Sequence, residues 1–138
     1  MKRRTKIGLI ALLLVCIFTL SACKKKELSN EFDQEQVEEL AISVVDMVNK
    51  EDAEGIKAIS NEEMKQAMTD DIFEQVFDMV KQFGEYKEVS EIDVTGVEDK
   101  ASKEPIAVVV LKAKYTDKEA IYTIPFDTDM KLVGLYVK

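Results

Sequence analysis

At 138 residues and a formal charge of −8, the chain has room for one domain and the wrong sign for a phosphate backbone, so nucleic acid is excluded as a partner. It contains no His, which removes the commonest general base and the commonest metal ligand together. Its two cysteines, Cys16 and Cys23, fall in or just after the apolar opening, so a processed domain has no internal disulfide to rely on.

The opening six residues carry Lys2, Arg3, Arg4 and Lys6 and no acid. Ile7 to Leu20 follows as an apolar run. As a helix it spans about 21 Å at ~1.5 Å per residue, short of a hydrocarbon core of roughly 30 Å. That length suits an exported signal segment. Leu20-Ser21-Ala22-Cys23 comes next and resembles the lipobox of bacterial lipoproteins at all four positions. The resemblance implies that the Cys23 thiol takes a diacylglyceryl group and that signal peptidase II cuts before it. The expected organisation is a signal peptide over 1–22, a lipidated cysteine and short tether over 23–31, and one domain over 32–138. Cleavage takes four cations and no acid away, moving the formal charge from −8 to −12. Membrane lipid, reached through Cys23, is the expected anchor on the extracytoplasmic face. Lys24, Lys25 and Lys26 then lie either against headgroups or in solvent as a spacer.

In the domain, Val37, Leu40, Ala41, Val44, Val45 and Val48 recur at helical spacing and predict a helix over 33–49, capped by Ser29 or Asn30. Shorter helices are expected over 52–59 and 61–68. Thr69 is a natural cap for another long helix, with Ile72, Phe73, Val76, Phe77, Val80 and Phe83 as its stripe and Gly84 as its stop. Beyond Gly84 the period falls to two. Strands are expected over 85–97, 106–115, 120–126 and 131–138, with turns at 116–119 and 127–129. Helices followed by a four-stranded antiparallel meander make an α+β fold, with the helices on one sheet face.

On the second strand Ala107, Val109, Leu111, Ala113 and Tyr115 share one face. Lys112 and Lys114 share the other with Ile106, Val108 and Val110. A solvated face should not carry three aliphatics, so a partner subunit or the tether is expected to cover part of it. The last strand repeats the difficulty, with Val133, Leu135 and Val137 on one side and Leu132 and Tyr136 on the other.

From Val37 to Val137 the chain resembles the bacterial family of domain of unknown function 3887. The resemblance lies in Val48-Asn49-Lys50-Glu51-Asp52, Met68-Thr69-Asp70-Asp71, Phe83-Gly84-Glu85-Tyr86 and Val108-Val109-Val110. It continues in Ile124-Pro125-Phe126-Asp127 and Lys131-Leu132-Val133-Gly134-Leu135. Its members occur in secreted lipoproteins and beside α/β-hydrolase domains. The resemblance implies a curved, cone-like sheet wrapped on helices, similar to the nuclear-transport-factor-like fold. It implies export but no reaction.

Related cone folds include isomerases and dehydratases with an Asp base in a pocket between helix and sheet. Asp93, Asp127, Tyr115 and Tyr122 are the residues of this chain that would line such a pocket, an Asp acting as base beside a phenol donor. The plainer reading makes Asp127 and Asp129 turn formers and leaves the tyrosines as packing, with hydroxyls at the rim. Asp127-Thr128-Asp129 lacks the Gly and distal Glu of a calcium loop. Met47, Met64, Met68 and Met79 at helical spacing fit a core better than a soft-metal site. No cofactor or metal is expected. The sequence therefore points to a non-catalytic, membrane-anchored lipoprotein that binds a ligand, an envelope protein or a second copy of itself, in its pocket or on its sheet face. The alternative is a small hydrolase or isomerase.

Overall fold

The computed structural model describes residues 27–138. The expected signal segment over 1–22 with Leu20, Ser21 and Ala22, and likewise Cys23 and Lys24–Lys26, lie outside the described residues. Four helices come first: α1 (Gln34–Asn49), α2 (Ala53–Ala58), α3 (Glu62–Ala67) and α4 (Asp70–Lys81). Four strands follow: β1 (Tyr86–Glu98), β2 (Pro105–Tyr115), β3 (Glu119–Phe126) and β4 (Tyr136–Val137). The strands form one open antiparallel sheet in the order β1-β2-β3-β4, so the fold is α+β with the helices on one face of a curved sheet. No described helix is long and apolar enough to cross a membrane.

Each helix starts on a side-chain cap. The N–H of Gln36 donates to Asp33 (3.1 Å), that of Gly55 to Asp52 (2.9 Å), that of Met64 to Asn61 (2.8 Å) and that of Ile72 to Thr69 (3.4 Å). Asp33 replaces the expected Ser29 or Asn30, because Ser29 is used one turn earlier, where its carbonyl accepts from Phe32 N–H (3.1 Å). Val37, Ala41, Val44, Val45 and Val48 of α1 are buried against the sheet, opposite Ala107, Val109, Leu111 and Ala113. Helix α4 packs on α1 through Phe73, Phe77 and Val80, while Ile72 falls off that line and is 38% exposed.

Two irregularities bend β1, between Tyr86 and Glu88 and between Val89 and Glu91. The predicted final strand over 131–138 shrinks to two residues. Its start is diverted, since Leu132 N–H donates to Ile59 O (2.8 Å) and Leu132 O accepts from Asn61 N–H (3.0 Å). Leu132 also bridges Phe126, whereas Tyr136 and Val137 pair with Thr123 and Tyr122, one residue out of step. That slip reverses side-chain parity. Leu132, Leu135 and Val137 all reach the core, and Val133 and Tyr136 turn outward.

The end of the expected tether lies on the fold. Leu28 packs against the core, and Phe32 is buried within it. Gly96 makes room for this segment, because a Cβ there would lie 2.3 Å from Glu27 O and 3.2 Å from Leu28 Cα. Gly96→Ala must push the segment off, at an expected cost of about 1–3 kcal/mol in urea unfolding. Faster amide exchange at Phe32 should accompany it, and unchanged exchange would contradict the contact. At the other end of α1, Glu51 sits at φ 55, the left-handed position that usually goes to Gly after a helix. Glu51→Gly should therefore be more stable than Glu51→Ala, which loses the same ion pair with Lys81 but keeps the positive φ, by about 1 kcal/mol, read as a higher urea midpoint at constant slope.

Candidate functional site

The inner face of the sheet holds the expected tyrosine pair. Tyr115 ends β2, Tyr122 lies within β3, and both are buried with their hydroxyls 2.5 Å apart. Tyr86, at the start of β1, packs beside them, its ring centre 5.6 Å from that of Tyr115. Asn49, whose amide donates back to Val45 O (2.8 Å), stands by both hydroxyls from the end of α1. Burial pushes all three phenols above their ordinary pKa, Tyr122 furthest; the charge of Asp46 adds to the rise at Tyr86. Phenols held in this state are hydrogen-bond partners, and the shift argues against proton release near neutrality.

The two expected acids do not join them. Asp93 pairs with Val110 across β1 and β2 on the opposite, outer face, where it is exposed. Asp127 lies in the turn beyond β3, its carboxylate accepting from Asp129 N–H (3.0 Å) and Lys131 N–H (2.9 Å). The structure thus brings Tyr115 and Tyr122 together and leaves Asp93 and Asp127 outside their surroundings. What approaches the tyrosines instead is a small pocket of about 190 Å³ between the ends of α1 and α4 and the start of β1, lined by Asn49, Tyr86 and Phe77. An ion pair, Lys81 Nζ to Glu51 Oε1 at 2.9 Å, stands at its edge. The signal for Asn49 and Tyr86 was present: each continues the apolar face of its element with a polar tip.

Among the described residues no three His, Cys, Asp or Glu side chains converge as a metal site. Met64 and Met68 are buried in the core, with Met47 and Met79 packed beside them.

The larger feature is the outer sheet face. Ile106, Val108 and Val110 of β2 remain half-buried there. Val97 is 44% and Tyr136 65% exposed. A groove of about 820 Å³ runs over Ile106, Val108, Thr123, Pro125, Val133 and Tyr136 towards the loop that joins β1 to β2. At the other end of the face the apolar strip stops at cross-strand ion pairs. Lys112 Nζ lies 3.0 Å from Glu91 and 3.9 Å from Glu119, and Lys114 Nζ lies 3.9 Å from Glu88. Glu91 raises the Lys112 pKa by accepting its hydrogen bond. The described tether residues do not cover this face, because Glu27 and Leu28 run along Gly96 instead.

The tyrosine set makes a pH prediction. Unfolded phenols ionise near pH 10, whereas Tyr86, Tyr115 and Tyr122 in the fold resist until higher pH. In that interval the unfolded state binds fewer protons, so the contribution of these phenols to stability is level below about pH 10 and falls above it. Replacing both Tyr115 and Tyr122 by Phe removes the two hydroxyls together and leaves neither orphaned. The urea midpoint of the double variant should fall less steeply between pH 10 and 11, and an unchanged slope would refute the assignment.

The profile of the family described as "Protein of unknown function (DUF3887)" matches residues 41–135, and the chain belongs to that family. No curated protein matches the chain. Among solved structures it is similar to one described as "NMR structure of protein from Ruminococcus gnavus ATCC 29149". The TM-score is 0.71 at 23% sequence identity, over 81% of this chain and 96% of that one. At that identity the likeness shows the fold alone.

Proposed function

We propose that this member of the DUF3887 family is an extracytoplasmic lipoprotein, anchored through Cys23, that binds a partner protein on the outer face of its sheet. The observation that carries the binding role is the open groove of about 820 Å³ over half-buried Ile106 and Val108. Aliphatic side chains in the middle of a sheet face gain roughly 25 cal/mol for each Å² they lose to a partner. The face is broad and open, which fits another protein surface better than an enclosed small molecule. The anchoring half of the proposal rests on the order of cationic segment, apolar run and Leu20-Ser21-Ala22-Cys23.

Catalysis has weaker support. A hydrolase or isomerase needs an acid beside the phenols, and Asp93 and Asp127 are elsewhere.

Labelling with a fatty-acid probe should mark the full chain and leave Cys23→Ala unmarked; an unmarked natural protein would end the anchoring half. For the binding half, a photo-crosslinking residue at position 108 should yield a discrete protein adduct in membranes, either a second copy or a different chain. Val108→Lys should reduce that adduct, captured from position 106, at least about tenfold, since one buried unpaired charge costs more than 1.4 kcal/mol. Its melting temperature should stay close to the natural one. Undiminished capture would overturn the surface assignment.

A further inference from the structure

The contact at Gly96 fixes where the tether leaves the body. Glu27 and Leu28 pass so close to this glycine that no side chain fits between them, and Leu28 is packed on the core. Gly96 pairs with Ala107 near the end of the β1–β2 hairpin, and Glu27 shares a surface hollow with Glu98 and Lys103 of that hairpin loop. The reach available to Cys23 is therefore counted from Glu27. From Cys23 to Glu27 a fully extended backbone reaches at most about 14 Å at ~3.6 Å per residue. The body is longer than that: β2 alone extends about 35 Å at ~3.3 Å per residue, from the hairpin loop to the turn at 116–118.

We infer that the anchored protein keeps its 99–104 loop at the lipid surface, with the 116–118 turn on average farther from it, and never adopts the inverted pose. This pose rests on lipidation of Cys23. A tether less than half as long as the sheet keeps the Gly96 end close to the bilayer in every pose, so the body can tilt or stand but cannot invert, and averaged over those poses the far end is the more distant one. Charge does not set the pose. On the hairpin Glu98, Asp99 and Glu104 outnumber Lys100 and Lys103, so an anionic surface does not draw it in. Covalent reach and the Gly96 contact do. The outer groove, which begins at this loop, then opens beside the headgroups, where its partner would be a protein close to the membrane. The small tyrosine pocket lies at the far end, facing the aqueous space.

The acylated protein offers a clean test, because Cys16 leaves with the signal segment and the Cys23 thiol is occupied by lipid. A cysteine placed by Ala101→Cys or by Asp117→Cys is then the single free thiol, and both positions are exposed. Each variant is labelled with an environment-sensitive fluorophore and reconstituted in vesicles containing lipid with a nitroxide at the headgroup. Quenching should be several-fold stronger at position 101 than at 117. Inserting about twenty Gly/Ser residues after Lys26, roughly 27 Å of r.m.s. span in total, should erase the difference. Equal or reversed quenching in the natural-length protein overturns the pose, as does a difference that survives the insertion. Protein that carries no acyl mass on Cys23 and stays in solution overturns the anchoring, and the pose with it.

Discussion

Everything in this fold depends on how closely α1 approaches the sheet. The helix offers valines and one alanine, and the strands answer with Ala107, Ala113 and Ala120 between the larger Val109, Leu111 and Tyr122. Small residues on both sides let the backbones come together, so side chains fill the space between the helix and the curved sheet. Valine is a mediocre helix former, and α1 is held by this contact more than by propensity. The apolar surface that could serve a ligand therefore lies outside the sheet, apart from a small pocket at one end.

The same packing decides the chemistry of the tyrosines. Where α1 ends, Asn49 and the two hydroxyls meet, and the side chains around them exclude water. A buried hydroxyl needs a partner, and each supplies the other's. The pair is consistent with a polar clasp in an apolar core, joining two strands near the helix terminus. Its raised pKa values follow from that setting, with no substrate invoked.

How much of this was legible in the sequence varies with the kind of information each feature requires. The stripe of α1, the Thr69 cap, the Gly84 stop and the inner row of β2 depend on local spacing, and they stand where spacing put them. Asp93 shows what spacing misses. Counted in strict alternation from Val89, it shares the inward face; the irregularity between Val89 and Glu91 shifts the parity and turns it outward. The final strand fails for a related reason. Leu132 takes its hydrogen bonds from the α2–α3 connection, a partner far away in sequence, and the slip beyond it sorts an apparently two-faced pattern into core and surface. Asp127 was legible in its plainer role, since a short acid before a tight turn satisfies nearby N–H groups. Asn49 and Tyr86 were legible as polar tips on the apolar faces of their elements, but their meeting with Tyr115 and Tyr122 needed the third dimension.

Gly96 links the fold to the proposed location. A glycine inside a strand weakens it unless something must pass close by, and here that something is Glu27 and Leu28, four and five residues after Cys23. Without this contact the free tether would begin near Phe32, roughly doubling the unanchored length and letting the body tumble. In the proposed anchored state, a strongly acidic domain that has no electrostatic reason to face an anionic membrane in any particular way would still be kept from inverting. A partner on the outer face would then meet a surface already turned toward it, which reduces the rotational freedom lost on binding. Modest apolar area over Ile106 and Val108 can then suffice where a freely diffusing protein would need more.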